Sequence, residues 1–185
     1  MRVIAGEFGR RKLEAPRGDT TRPTPDRMRE ALFSMLALQI EGATFTDLYA
    51  GSGAVGIEAL SRGAGRVVFV ETDRDALETL KRNVKSLGIE RRTETIARPV
   101  RKALERRMDG IVFVDPPYGA EAEYEHCLAH FGVNPPALLL IQHDRRLKLP
   151  EISGRLVLQR QLKQGDNRVS FYLPDLGAAG KTVGD

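Results

Sequence analysis

Asp47-Leu-Tyr-Ala-Gly-Ser-Gly-Ala-Val-Gly56 is the stretch whose reading decides the fold. It follows the run Ala43-Thr-Phe-Thr46 and reads as the end of a buried strand, a glycine turn and the opening of a helix. In such a turn, backbone N–H groups and the positive helix end can receive an anionic or polar ligand. The next apolar run, Val67-Val-Phe-Val70, closes on Glu71, a carboxylate placed to accept from both hydroxyls of a ribose. A later run closes on Phe113-Val-Asp-Pro-Pro-Tyr118, which supplies a carboxylate, a stiff proline pair and an aromatic ring. Open α/β sheets bind ligands outside the carboxyl ends of their strands. The segments together imply a nucleotide-like cofactor beside a flat, amine-bearing substrate.

The glycine turn alone leaves two cofactors open. Gly51-x-Gly53-x-x-Gly56 with Glu71 also fits a nicotinamide-binding Rossmann unit, and glycines can serve only close helix packing. Asp115-Pro116-Pro117-Tyr118 shifts the balance. An exocyclic ring amine is a poor nucleophile because its lone pair is conjugated into the ring. The Asp115 carboxylate and the Pro116 carbonyl can accept its two N–H bonds and aim the lone pair at an electrophilic methyl group. The fixed φ of Pro116 and Pro117 holds that carbonyl, and Tyr118 offers a face for an unstacked base. The plainer reading of the same residues is a turn that ends a strand.

Outward from these motifs the chain alternates regularly. Strands are predicted near 45–50, 66–71, 92–97, 110–115, 137–142, 155–161 and 167–173, and helices near 54–63, 75–87, 99–107 and 121–131. That alternation predicts an α/β fold with a mostly parallel seven-stranded sheet and helices on both faces. The short Gln164-Gly-Asp-Asn167 link makes the last two strands an antiparallel edge hairpin. Before Gly42, Val3 to Phe8 and Arg11 to Glu14 predict a small hairpin about Gly9-Arg10. Thr24-Pro25 then predicts an N-cap and first turn for a helix presenting Met28, Ala31, Leu32, Met35 and Leu36. The division expected is a basic N-terminal extension over 1–41, a ligand-binding core over 42–174 and a flexible tail over 175–185.

Composition bounds the class. A chain of 185 residues, 41% hydrophobic, is one domain of ordinary size. No apolar stretch nears the roughly 20 residues of a membrane span, and the start Met-Arg-Val-Ile-Ala-Gly-Glu-Phe reads as folded strand rather than leader. The single cysteine, Cys127, suits a reducing cytoplasm and reads as a buried apolar residue. Net charge is +4, with the bias concentrated early: Arg2, Arg10, Arg11, Lys12, Arg17, Arg22, Arg27 and Arg29 meet only Glu7, Glu14, Asp19 and Asp26. That density suggests a polyanion partner, against the alternative of a solvated basic face. His126 and His130 lie four apart near Glu123, but no second ligand cluster accompanies them, so no metal is expected. His143 is expected at the surface beyond the fifth strand.

At these residues the chain resembles the class I S-adenosylmethionine-dependent methyltransferases. It is more closely similar to the bacterial 16S ribosomal RNA guanine-N2 methyltransferase family, small-subunit methyltransferase D. The resemblance runs from Arg2 to Leu173 through Ile4-Ala-Gly, Gly9-Arg-Arg-Lys-Leu13, Arg22-Pro-Thr-Pro-Asp-Arg-Met-Arg-Glu-Ala-Leu-Phe33, Asp47 to Arg62 and Phe113 to Tyr118. It implies methyl transfer from S-adenosylmethionine to the 2-amino group of one guanine in 16S rRNA, leaving S-adenosylhomocysteine.

The resemblance also implies the roles of residues. Asp47, Tyr49, Ala50, Gly51, Ser52, Gly53 and Gly56 would lie on the methionine and ribose side, Glu71 on the ribose hydroxyls and Thr72 beside the adenine. Asp115, Pro116, Pro117 and Tyr118 would form the catalytic motif, while Arg22 and Thr24 flank its mouth. The third-strand region departs from the family, reading Ile96-Ala-Arg98-Pro99-Val100 where relatives commonly offer Asp or Asn, so Val100 packing or backbone groups would meet the adenine. Contacts with 16S rRNA, free or in the assembling small ribosomal subunit, are expected from Arg10, Arg11, Lys12, Arg22, Thr24, Arg27 and Arg29 of a monomer with no membrane partner. The alternatives are an adenine-N6 methyltransferase, which shares Asp-Pro-Pro-Tyr but would need a target-recognition insertion, and a non-catalytic RNA-binding Rossmann module.

Overall fold

A computed structural model describes residues 1–16, 25–117, 119–175 and 177. The elements are α1 (Asp26–Met35), β1 (Thr44–Leu48), α2 (Ala54–Ser61), β2 (Arg66–Val70), α3 (Arg74–Leu87), β3 (Thr93–Ile96), α4 (Val100–Ala103), β4 (Ile111–Val114), α5 (Glu121–Val133), β5 (Leu138–Asp144), β6 (Ile152–Ser153), β7 (Leu156–Gln164) and β8 (Asn167–Pro174). All the strands join one sheet in the order β3-β2-β1-β4-β5-β8-β7-β6. Strands β1 to β5 are parallel, and β8, β7 and β6 run antiparallel at one side. Strand order reverses between β1 and β4, the place where an open α/β sheet parts its loops into a crevice.

The layers follow from strand alternation. Phe45, Val67, Phe69, Phe113, Leu140 and Phe171 face one core with Leu32 of α1, Ile57 of α2 and Leu80 of α3. Leu48, Val70, Val112, Val114, Ile141 and Tyr172 face the other, with Val100 of α4 and Cys127 and Phe131 of α5. Helix α2 is buried along its whole length. The sheet lies beneath it and the N-terminal segment lies over it: Ile4 N donates to Glu58 Oε2 at 2.8 Å, and Phe8 N donates to Ser61 Oγ at 2.9 Å.

The α/β architecture matches the expectation, with three differences. An eighth strand is present, because Ile152–Ser153 folds back on Val157 and Leu156. The helix expected over 99–107 is only Val100–Ala103. The N-terminal hairpin is a single antiparallel bridge, Arg2 to Lys12, closed by turns instead of two regular strands. Val3 N donates to Arg11 O and Leu13 N to Met1 O across it, both at 2.9 Å, while the amides of Ile4, Ala5, Glu7 and Phe8 turn to Glu58 and Ser61 of α2. Pro25 occupies the cap position of α1 with no side-chain cap bond, and the expected Thr24 cap lies outside the described residues. So does most of the tail expected over 175–185. Among the described residues no helix is long and apolar enough to cross a membrane.

Candidate cofactor and base-binding site

The glycine loop leaves β1 through Tyr49, whose φ of +63° is the left-handed region that an aromatic residue seldom adopts. Such strain costs about 1–3 kcal/mol and persists only where surroundings impose it. Here the Tyr49 hydroxyl donates to Glu123 Oε2 at 2.7 Å, while Arg101 donates to Glu123 Oε1 at 3.0 Å, tying β1, α4 and α5 together. The Tyr49 bond, with help from Arg101, holds the Glu123 carboxyl below its usual range. Burial pushes the neighbouring Cys127 thiol up to about 12, so it is an inert filler of the core as expected.

Gly51 and Gly53 have φ of +55° and +79°. A side chain at Gly51 would enter open space, whereas one at Gly53 would strike Leu80. Gly56 has no such φ but lies so close to Phe69 and Val67 that a methyl group could not fit. The first glycine therefore leaves a face open, and the other two seat α2 on the sheet.

The loop is held by carboxylates. Glu71 Oε2 accepts from Gly51 N at 2.7 Å, and its Oε1 accepts from Thr72 N at 2.7 Å and Asp73 N at 2.9 Å. Asp47 Oδ2 accepts from Gly56 N at 2.9 Å. Asp47 is 2% exposed. Burial raises its pKa well above the ordinary value, the Gly56 amide opposes this, and the charges of Asp115 and Glu71 add to it. The amides at Gly51 and Gly56, which the sequence offered to an anion, are thus already bound to carboxylates. A pyrophosphate would meet the negative charge of Glu71, whereas a sulfonium and an ammonium suit it. The nicotinamide alternative is disfavoured on this ground.

Beside the loop is a cleft of about 220 Å³ lined by Tyr49, Val70, Glu71, Thr72, Arg98, Pro99, Val100, Arg101 and Glu123. Val100, expected to meet an adenine, stands at its floor and is 5% exposed. Ser52 O and Glu14 O accept from the Asn83 amide at 3.0 and 3.1 Å, fixing the far side of the loop. Asp115 follows β4 directly across from Tyr49, since Leu48 pairs with Val114. Gln142 Nε2 donates to Asp115 Oδ2 at 2.9 Å. The amide thereby orients the carboxylate. Sequence reading missed Gln142, Glu123 and Arg101; the one available signal was that Gln142 is the first polar residue after Leu138-Leu-Leu-Ile141 on the neighbouring strand.

Other expected site residues fall in different places. Tyr118, Arg22 and Thr24 lie outside the described residues. Lys12 and Arg27 are exposed. Arg10 and Arg11 are exposed too, but the hydrogen bonds of their turn run to Ser61, at the end of α2, and Arg11 Nη2 donates to Ser86 O near the end of α3. That is the amino end of the sheet. The length of α2, about 12 Å, separates it from the glycine loop. Arg29 needs correction: it is 0% exposed, and its Nη2 donates to Arg2 O at 2.8 Å and to Asp26 Oδ1 at 2.7 Å. Its charge is neutralised inside the molecule, so it is not a surface contact for RNA. His143 also differs from expectation, being 4% exposed with Nδ1 2.9 Å from Asp144 O and Nε2 2.9 Å from Ser170 Oγ. Because β5 continues to Asp144 against β8, His143 is a ladder residue instead of a loop residue.

A parallel sheet with its crevice at the β1–β4 reversal, a carboxylate-backed glycine loop and Asp-Pro-Pro at the next strand end define a class I S-adenosylmethionine-dependent methyltransferase. Residues 1–173 match the family described as conserved hypothetical protein 95. The chain belongs to that family. It is 36% identical over 181 residues to YlbH of Bacillus subtilis (strain 168), provisionally described as an rRNA methyltransferase, with 93% of this chain and 98% of that protein covered. It is 35% identical over 190 residues to ribosomal RNA small subunit methyltransferase D of Escherichia coli (strain K12), covering 100% of this chain and 94% of the relative. Among solved structures, the Escherichia coli protein provisionally described as methyltransferase yhhF superposes with a TM-score of 0.84 at 30% identity, covering 96% and 99% of the two chains.

Proposed function

We propose that this chain transfers a methyl group from S-adenosylmethionine to the exocyclic N2 amine of a guanine in 16S ribosomal RNA. The observation that carries the reading is the Asp115 carboxylate, oriented by Gln142 at 2.9 Å and standing across the strand-order reversal from the glycine loop. Similarity along the whole chain to small subunit methyltransferase D supports the RNA substrate.

The residues present fit the cofactor. Gly51 leaves open space on the ligand side, Glu71 presents a fixed carboxylate, and Thr72, Pro99 and Val100 line an apolar-floored cleft. When bound, S-adenosylmethionine supplies an electrophilic methyl group on a sulfonium. The chain positions the acceptor. Asp115 takes one N–H of the guanine amine and the Pro116 carbonyl the other, so the nitrogen lone pair points toward the cleft. Tyr118 is assigned the base face, where stacking contributes about 1–3 kcal/mol. The extra proton on the methylated nitrogen passes to water after transfer, so no base with a tuned pKa is needed. Residues 42–174 perform this chemistry, residues 1–41 pack on the core, Arg22 and Thr24 are assigned to the RNA, and the protein works as a cytoplasmic monomer without a metal.

Mass spectrometry of rRNA nucleosides tests the reading. Cells lacking the gene should lose one N2-methylguanosine from 16S rRNA, and purified protein with S-adenosylmethionine should restore it. Appearance of N6-methyladenosine would instead favour the adenine alternative, and tight NAD binding would sink the methyltransferase reading.

A further inference from the structure

The carboxyl end of the sheet is read in one line from β3 to β7. Glu71, Thr72 and Pro99 make the cofactor cleft at the β3-β2-β1 side, and Asp115 follows β4. Beyond it, at the β5-β8-β7 side, two segments come together. Asp144-Arg145-Arg146-Leu147-Lys148 leaves β5, and Lys163-Gln164-Gly165-Asp166-Asn167-Arg168 turns from β7 into β8. Asp144 pairs with Asn167, and Gln164 pairs with Asn167, so both segments stand at the level of the catalytic corner. They carry five cations against two carboxylates.

We propose that this rim binds the phosphates of the RNA strand flanking the target nucleotide. The proposal rests on the methyltransferase reading above and names the surface that reading lacks. The rim is rigid: Arg145 N donates to Asp166 O at 2.8 Å, and Arg145 Nε lies 3.0 Å from Asp166 Oδ1. Arg168 Nη1 donates to Gly165 O and Asn167 O at 2.8 Å, closing the turn beneath. Both carboxylates are engaged within the rim, since Asp144 Oδ1 accepts from Arg146 N at 2.8 Å. Arg146, Lys148 and Lys163 are exposed and, among the described residues, form no ion pair. Their positive charge is therefore presented to solvent on a fixed frame, which reduces the ordering cost of binding.

Position selects RNA as the occupant. Asp144 lies about 7 Å along the strand from Gln142, the partner of Asp115, and β7 lies about 14 Å across the sheet from β4. A base extruded into the Asp115 corner keeps its own backbone at the surface, and the neighbouring phosphates then cross this rim. RNA is read through such splayed, single-stranded segments, with the backbone held by cations. The N-terminal turn is placed less well, because Arg10 and Arg11 sit at the opposite end of α2.

The test uses the full chain, 16S rRNA and S-adenosylhomocysteine as probes. A triple variant, Arg146→Glu with Lys148→Glu and Lys163→Glu, is compared with the wild type and with Arg10→Glu, Arg11→Glu. The triple variant should bind 16S rRNA at least about tenfold more weakly near 0.1 M salt, with the slope of log affinity against log salt reduced by about two. Its S-adenosylhomocysteine affinity and thermal midpoint should match the wild type, and the Arg10, Arg11 pair should lose less RNA affinity. Replacing the same three residues by Gln should give an intermediate loss. RNA affinity and salt slope equal to the wild type overturn the rim. Failure of the wild-type protein to form N2-methylguanosine overturns the functional reading separately, while the binding curves still decide whether the rim holds RNA.

Discussion

In the proposed reaction Asp115 serves catalysis and Glu71 cofactor binding, and single substitutions test the two roles apart. If Asp115 orients the reacting amine, Asp115→Ala should lower methyl transfer by at least about 10²-fold, the usual cost of removing a positioned polar group at a reacting centre. S-adenosylhomocysteine affinity, read by calorimetry, should stay the same; an active Asp115→Ala enzyme would refute the mechanism. Glu71→Ala should act in the opposite way. It removes a carboxylate that accepts from Gly51, Thr72 and Asp73 amides, so cofactor binding should weaken by about 1.5–3 kcal/mol, the range for hydrogen bonds to a charged group. A calorimetric affinity within error of the wild type would remove Glu71 from the site. The glycine-loop motif and Asp-Pro-Pro were legible in the sequence because each is contiguous. Gln142, Glu123 and Arg101 were not, because they reach the site from other strands and helices.

At the scale of elements, α2 and the β5–β8 pair each carry a test. Gly56→Ala drives a methyl group into Phe69 and Val67 on the sheet, and overpacking of this kind costs about 1–3 kcal/mol. Urea unfolding should show that loss; an unchanged midpoint would mean α2 can slide away from β2. The β5–β8 pair contains His143, whose burial lowers its pKa from 6.5, opposed by its bond to Asp144 O. Nδ1 faces a carbonyl and so carries the proton, and Ser170 Oγ–H then donates to Nε2. The folded state prefers the neutral ring, so its stability contribution is complete above about pH 6.5 and is lost as pH falls through that value toward the folded pKa. Unfolding free energy should therefore decline on acidification below about pH 6.5, and His143→Asn should flatten that part of the profile. A parallel decline in both proteins would assign the effect elsewhere.

For the whole molecule, the N-terminal segment is a structural part of the core. Val3 and Leu13 are 0% and 5% exposed in the core that holds α1, α2 and the sheet. Glu58, fully buried, accepts from Ile4 N and Ala5 N as well as from Arg62. Deleting residues 1–16 should remove two buried side chains, about 3–6 kcal/mol at 1.5–3 each, and strip the buried Glu58 of two donors. A large fall in the denaturation midpoint is expected before any effect on RNA is read. A deletion that unfolds like the full chain would show the segment to be a detachable appendage.

The sequence by itself determined the class of fold, the positions of the parallel strands and their edge hairpin, and the two contiguous motifs at the ends of β1 and β4, while the strand order came from the structure. Those follow from local periodicity and from contiguous motifs, which a linear chain states directly. Tertiary structure alone decided the rest. It buried Arg29 and His143, because a charge or a polar ring in sequence carries no sign of which neighbour will neutralise it. It bound the amides of Gly51 and Gly56 to Glu71 and Asp47, which the glycine pattern alone did not indicate. It also set Arg10 and Arg11 at one end of the sheet and Arg146 and Lys163 at the other. Charge adds along a sequence without direction, and only the parallel strands, all pointing one way, give a molecule an end at which a polyanion meets the chemistry.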